Sequence, residues 1–261
     1  MKSIQHYWMR LAGVLIVLIG APSAYAEDGF WGQLYGEVVQ DYKSFYTTST
    51  LGDLAPGLLV AGVMANSNMD GYIQEEIPHH DDNFKYDSRQ VNYFGDSTRT
   101  IPSIPIYLGV MGLDHWLNDG QESIYGEWGR YSFRTFMVGA PSGFLAANIL
   151  GGSRPTEGRD SDWRLFDDVN SISGHSFSGA VPMINAAMLA DGTGMKTLFY
   201  GLSILPGLAR VAMDKHYASQ ALLGWTFAYV SAKVVHQNRA DIGVSLSYYR
   251  DAPVLTLIKK F

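Results

Sequence analysis

The sequence predicts an all-α fold: a helical bundle of about six core helices with a short C-terminal β-hairpin. Three observations carry this. Apolar stretches of 12 to 18 residues recur at 54–65, 104–117, 133–150, 177–190, 197–213 and 221–235. Polar and Gly-containing turns separate them. An alternating pattern enters only after Asn238. Most of these runs are shorter than a membrane span and carry Asn, Ser, Asp or Arg, the mark of helices buried in a bundle. The mean hydropathy of −0.02 is low for six spans.

Residues 1–26 predict a secretory signal peptide, with a first transmembrane anchor as the alternative reading. Lys2 and Arg10 supply the positive start, Leu11–Ala21 the apolar run, and Ala24-Tyr25-Ala26 the small-x-small cleavage site. Its removal takes the formal net charge from −6 down by two, to −8. An acidic chain of this kind excludes a general nucleic-acid binder. The absence of cysteine excludes disulfides and thiolate chemistry. Residues 27–261 have the length of one domain, with no repeat or linker to mark a second.

Residues 30–46 carry Trp31, Leu34, Tyr35, Val38, Val39, Tyr42 and Tyr46 at steps of three and four, which predicts a helix with one apolar face. That face packs on the core or, alternatively, lies in a lipid headgroup zone. Residues 66–103 are polar and turn-rich and predict an irregular segment. Within it, His79-His80-Asp81-Asp82 has ligand-type side chains, but adjacent residues rarely converge on one ion, so a solvated loop is expected and no metal.

From 131 onward the helices frame three short blocks. The run at 133–150 stops at Gly151-Gly152 and delivers Arg154 just beyond, with Pro155 stiffening the turn. An acidic loop at 156–171 follows. Ser173-Gly174-His175 opens the next helix and sets backbone N–H groups at its N-terminus, a ready anion site. After a turn at 191–194, the run at 197–213 presents Arg210 near its end. His216 and Gln220 then share a face of the last helix. Gly243–Tyr249 and Val254–Ile258, joined by a turn at 250–253, read as the hairpin.

Arginine offers a planar, permanently charged fork of donors that matches phosphate oxygens. Histidine is suited near neutral pH to attack phosphorus or to pass on a proton. Two of each, in these blocks, describe a site that holds a phosphoryl group and breaks its ester bond. Arg154, Arg210, the Ser173 hydroxyl and the Gly174 N–H are the candidate phosphate-binding groups; His216 and His175 are the candidate catalytic residues.

Over about 145–235 the blocks resemble the superfamily of type 2 phosphatidic acid phosphatases, bacterial acid phosphatases and vanadium haloperoxidases. Its pattern is Lys-x6-Arg-Pro, Pro-Ser-Gly-His and Ser-Arg-x5-His-x3-Asp. Arg154, Pro155, Ser173, Gly174, His175, Arg210 and His216 match in register. Ala147, Ile172, Ala209 and Gln220 stand where the family has Lys, Pro, Ser and Asp. The resemblance implies that neutral His216 attacks phosphorus to give a phosphohistidine, that protonated His175 serves the leaving group, and that Gln220, at the position of the family Asp, is the third catalytic candidate, accepting from the other ring nitrogen of His216. No cofactor is implied. With the leader, which implies export to the periplasm, it further implies a phosphatase, membrane-associated or integral, acting on phosphomonoesters, diphosphates or lipid phosphates, with a membrane surface as a further partner. The departures at Ala147 and Gln220 point to an alternative: a weak or inactive relative that binds phosphate or lipid headgroups in the cell envelope.

Overall fold

The computed structural model describes residues 29–79 and 100–238, and the paired backbone of 242–249 and 252–259. The signal-peptide segment and residues 80–82 of the His-Asp cluster lie outside the described residues.

The described fold is all-helical. Eight α-helices are present among the described residues: α1 Phe30–Phe45, α2 Thr48–Ala65, α3 Met69–His79, α4 Thr100–Leu117, α5 Ile124–Leu150, α6 Gly174–Leu189, α7 Thr193–Ala212 and α8 Ala218–Gln237. Each of the six apolar stretches lies in a helix. The count exceeds six for two reasons. The periodic 30–46 segment joins the bundle as α1, and α3 forms inside the stretch expected to be irregular. Asp70 in the first turn of α3 favours that helix end, and its partners lie on α8, where no local reading finds them.

Beyond the bundle, two segments lie at Ile242–Tyr249 and Ala252–Lys259. Their backbones pair antiparallel, from Ile242 opposite Lys259 to Tyr249 opposite Ala252. Their side chains, and hence any seat on the bundle, lie outside the described residues.

α8 is the axis of the bundle and packs against α2, α5, α6 and α7. Ala221, Gly224, Ala228 and Ala232 recur along it at steps of three and four and are small enough for close approach. Around it Phe136, Val138, Phe177, Val181, Ile184, Leu223, Phe227 and Val230 form the core. α1 buries Leu34, Asp41 and Phe45, while Trp31 and Tyr46 at its ends are exposed. It is therefore a packed helix whose buried face is narrower than its apolar pattern. Asp41 is fully buried and accepts two hydrogen bonds from the buried Arg134 of α5, at 2.7 and 2.9 Å.

The outer faces of two helices are unusually apolar. α2 is long and apolar enough to cross a membrane, and only 22% of it is buried. Leu51, Leu59, Val60 and Val63 stand exposed on it, as do Met195, Leu198, Leu205 and Leu208 on α7.

Candidate active site

The first block is set by the end of α5. Gly151 ends the helix with φ +76°, and a Cβ there would lie 1.9 Å from the Arg164 carbonyl oxygen. Only glycine fits both conditions. The chain reverses and brings Ser153 inward. The Arg154 N–H donates to Glu157 Oε2 at 2.9 Å, and a short 3-10 turn, Pro155–Glu157, follows. The Arg154 Nε is buried and has no hydrogen-bond acceptor within the described protein.

The second block is the start of α6. Ser173, fully buried, caps the helix by accepting from the Ser176 N–H at 3.3 Å. Gly174 is exposed and His175 half-buried. α8 crosses this end so closely that a Cβ on Gly224 would sit 2.4 Å from the Ser173 carbonyl oxygen and 3.0 Å from the Phe177 nitrogen.

The third block joins α7 to α8. Arg210 is buried near the end of α7, and its carbonyl accepts from the N–H groups of Lys215 and His216 at 3.0 and 3.3 Å. His216, 2% exposed, sits in the connection, and Gln220 lies in the first turn of α8.

Gln220 ties all three blocks together. Its Oε1 is 2.8 Å from His216 Nδ1 and accepts from the Tyr217 N–H at 3.2 Å. Its Nε2 donates to the Ser153 carbonyl at 2.7 Å. Its main-chain carbonyl accepts from the Ser173 N–H at 2.9 Å. The two backbone partners of the side chain fix its orientation. A carbonyl can only accept and an amide N–H can only donate, so the amide cannot turn over without breaking both bonds. Oε1 therefore faces His216, Nδ1 carries the proton, and Nε2 keeps its lone pair. A carboxylate at this position would select the same tautomer; glutamine does so without adding charge.

Electrostatics then hold the ring neutral. Burial pushes the His216 pKa well below the ordinary histidine value, and the charge of Arg154 adds to this. The hydrogen bond that the ring donates to Gln220 opposes the shift, while Arg210 and His175 reinforce it. These interactions place Arg154, Arg210 and His175 within electrostatic reach of His216. A neutral imidazole nitrogen beside fixed positive charge is the arrangement in which a nitrogen can act as a nucleophile toward an anionic group.

Ala147, at the position of the family lysine, is buried in the core, and its carbonyl accepts from Ser171 Oγ at 3.2 Å. Arg159 does not supply the missing cation. Its guanidinium pairs with Asp167 on the exposed side at 2.9 Å, and its carbonyl accepts from the Tyr217 hydroxyl. Sequence reasoning missed Glu157, whose carboxylate holds the Arg154 backbone, and Asp70 and Gln74 of α3, which bind the connection carrying His216. Glu157 carries a local signal, an acidic residue three positions after the residue that opens its turn; Asp70 and Gln74 carry none, because each acts on a partner in a different element. Among the described residues, no three His, Asp or Glu side chains form a metal-ligating group.

No curated protein and no solved structure matches the chain. The model of one family, the PAP2 superfamily, matches residues 114–243. That stretch begins in α4 and contains every residue of the three blocks. Through it the chain belongs to the PAP2 superfamily, whose members are generally phosphatases acting on phosphate-containing substrates.

Proposed function

We propose that the protein is an exported, metal-independent phosphatase that works through a phosphohistidine intermediate. The observation that carries this reading is the buried, neutral His216, with Nδ1–H committed to Gln220 and positive charge from Arg154 and Arg210 around it. Arg154 and Arg210, with the Ser173 hydroxyl and the Gly174 N–H, bind the non-bridging oxygens. His216 Nε2 attacks phosphorus, and the ester P–O bond breaks as His175 gives the leaving oxygen a proton. Water, deprotonated by His175, then cleaves the P–N bond to release phosphate and neutral His216. The buried Arg154 Nε–H, which has no acceptor among the described residues, supports the oxyanion role.

The substrate class is phosphomonoesters or diphosphates, lipid phosphates included. The apolar exposed face of α2 supports association with a membrane surface. Export with cleavage after Ala26 follows from the leader, and the mature chain should begin at Glu27.

The test is a panel of para-nitrophenyl phosphate and a lipid phosphate, run in EDTA with and without vanadate. Turnover should survive chelation and be blocked by vanadate, which adopts the five-coordinate geometry of the transition state. His216→Ala should abolish turnover and phosphoenzyme. His175→Ala should retain more activity on para-nitrophenyl phosphate, whose leaving group needs little protonation. Equal losses in both variants on every substrate would contradict the assigned roles. A second reading is favoured by Ala147 and Gln220: a phosphate- or headgroup-binding relative without turnover. Inorganic phosphate binding by a wild type that hydrolyses nothing on the panel would select it.

A further inference from the structure

α3 brings two polar side chains to the α7–α8 connection. Asp70 is fully buried. One of its oxygens accepts from the Ser219 N–H at 3.0 Å and the other from the Ser219 hydroxyl. Ser219 is the second residue of α8, so its N–H is one of the orphan donors of that helix end. The N-cap residue is Tyr217, whose side chain is poorly suited to satisfy it. The carboxylate of a distant helix therefore does the capping, with its negative charge at the positive end of the α8 dipole. Gln74, one turn further along α3, donates through Nε2 to the Val211 carbonyl at 3.3 Å and to Asp214 Oδ1. Asp214 holds the left-handed conformation, φ +55°, that reverses the chain between Arg210 and His216.

We propose that Asp70, assisted by Gln74, is a positioning residue for His216. This rests on reading His216 as the nucleophile. The connection is held at two points on either side of the ring, Asp214 before it and Ser219 after it. Gln220, which orients the ring, is the residue next to Ser219. Releasing Asp70 frees the first turn of α8, and the His216–Gln220 pair loses its fixed approach. Arg154 and Ser173 are carried by other elements and keep their own local bonds, to Glu157 and to the Ser176 N–H. The expected signature is a loss in kcat with little change in KM, because a small misplacement of the attacking atom is costly while binding groups are untouched.

The experiment uses the purified full chain. Asp70→Ala should lower kcat on para-nitrophenyl phosphate by about 10-fold or more, with KM within about 2-fold. Asp70→Asn should recover most of the loss. Its Oδ1 still accepts from the Ser219 N–H, and its NH2 donates to the Ser219 hydroxyl, which then accepts. A histidine ring ¹⁵N–¹H spectrum should show His216 as the single Nδ1–H tautomer in wild type and as a mixture in Asp70→Ala. Unchanged kcat with a single tautomer in folded Asp70→Ala overturns the proposal, as does a rise in KM without loss of kcat. If Asp70→Ala does not fold, Ser219→Ala takes its place. It removes one of the two contacts and should lower kcat by about 3-fold with tautomer mixing, and full activity with a single tautomer overturns the proposal there too. A wild type without turnover sinks the phosphatase reading, while the ring spectra of wild type and Asp70→Ala still decide whether Asp70 positions His216.

Discussion

Gln220→Asp is the most informative substitution in this protein. By the family pattern it restores a carboxylate beside His216 and should favour the charged ring as phosphorus is attacked. The structure gives the opposite expectation. The Gln220 side chain serves three partners: His216 Nδ1, the Tyr217 N–H and the Ser153 carbonyl. Aspartate is one methylene shorter and has no N–H. It cannot donate to Ser153, and it cannot reach His216 and Tyr217 as glutamine does without moving α8, which Gly224 holds hard against α6. Each stranded buried group costs about 1–3 kcal/mol, and a charge-assisted bond to the ring returns about 1.5–3 kcal/mol when the ring is protonated. Burial and Arg154 keep the ring neutral, so that return is largely lost. The net expectation is a loss of about 2–4 kcal/mol in stability. At about 2–4 °C per kcal/mol for a domain of this size, the melting temperature falls by roughly 5–15 °C. kcat/KM falls as well, by about 10-fold or more, because the ring is no longer oriented. Melting curves and kcat/KM on one substrate, for wild type and variant side by side, measure both. An unchanged melting temperature with a tenfold rise in kcat/KM would refute the reasoning and show that charge at this position outweighs the three-way anchoring.

The remaining predictions concern the frame around the ring. Gly224→Ala forces backbone apart at the α6–α8 crossing and should destabilise by about 1–3 kcal/mol in thermal melts, while raising KM through displacement of Ser173 and Gly174. Because His216 titrates below its unfolded value of 6.5, the unfolded chain binds the extra proton first; stability should fall as pH drops below about 6.5, and denaturant titrations of His216→Gln should show a shallower slope there. Arg134→Met leaves Asp41 buried without its cation and should cost about 3–5 kcal/mol in denaturant unfolding, far from the site and with little effect on KM.

Much of the fold was legible because helix formation is written locally. The apolar runs, the Gly151-Gly152 stop and the Ser173 cap each act within a few residues, and all six runs lie in helices where they were expected. The three blocks were legible as candidates for the same reason: their residue types and spacings can be read within each segment before any geometry is known. α3 was not legible, because its polar sequence resembles a loop and its stabilising partners, Ser219, Val211 and Asp214, lie 137 to 149 positions away.

The sequence by itself determined a helical bundle, the identity of the phosphate-binding and histidine candidates, and the loss of a charged partner at position 220. Only the tertiary structure decided how that loss is accommodated. It fixes the Gln220 amide between the Ser153 carbonyl and the Tyr217 N–H, buries His216 among positive charges, and turns Arg159 outward to Asp167. The physical reason is that a side chain's periodicity and intrinsic chemistry belong to its own segment. Its hydrogen-bond polarity, tautomer and protonation are set by whichever groups other segments bring within a few ångströms of it.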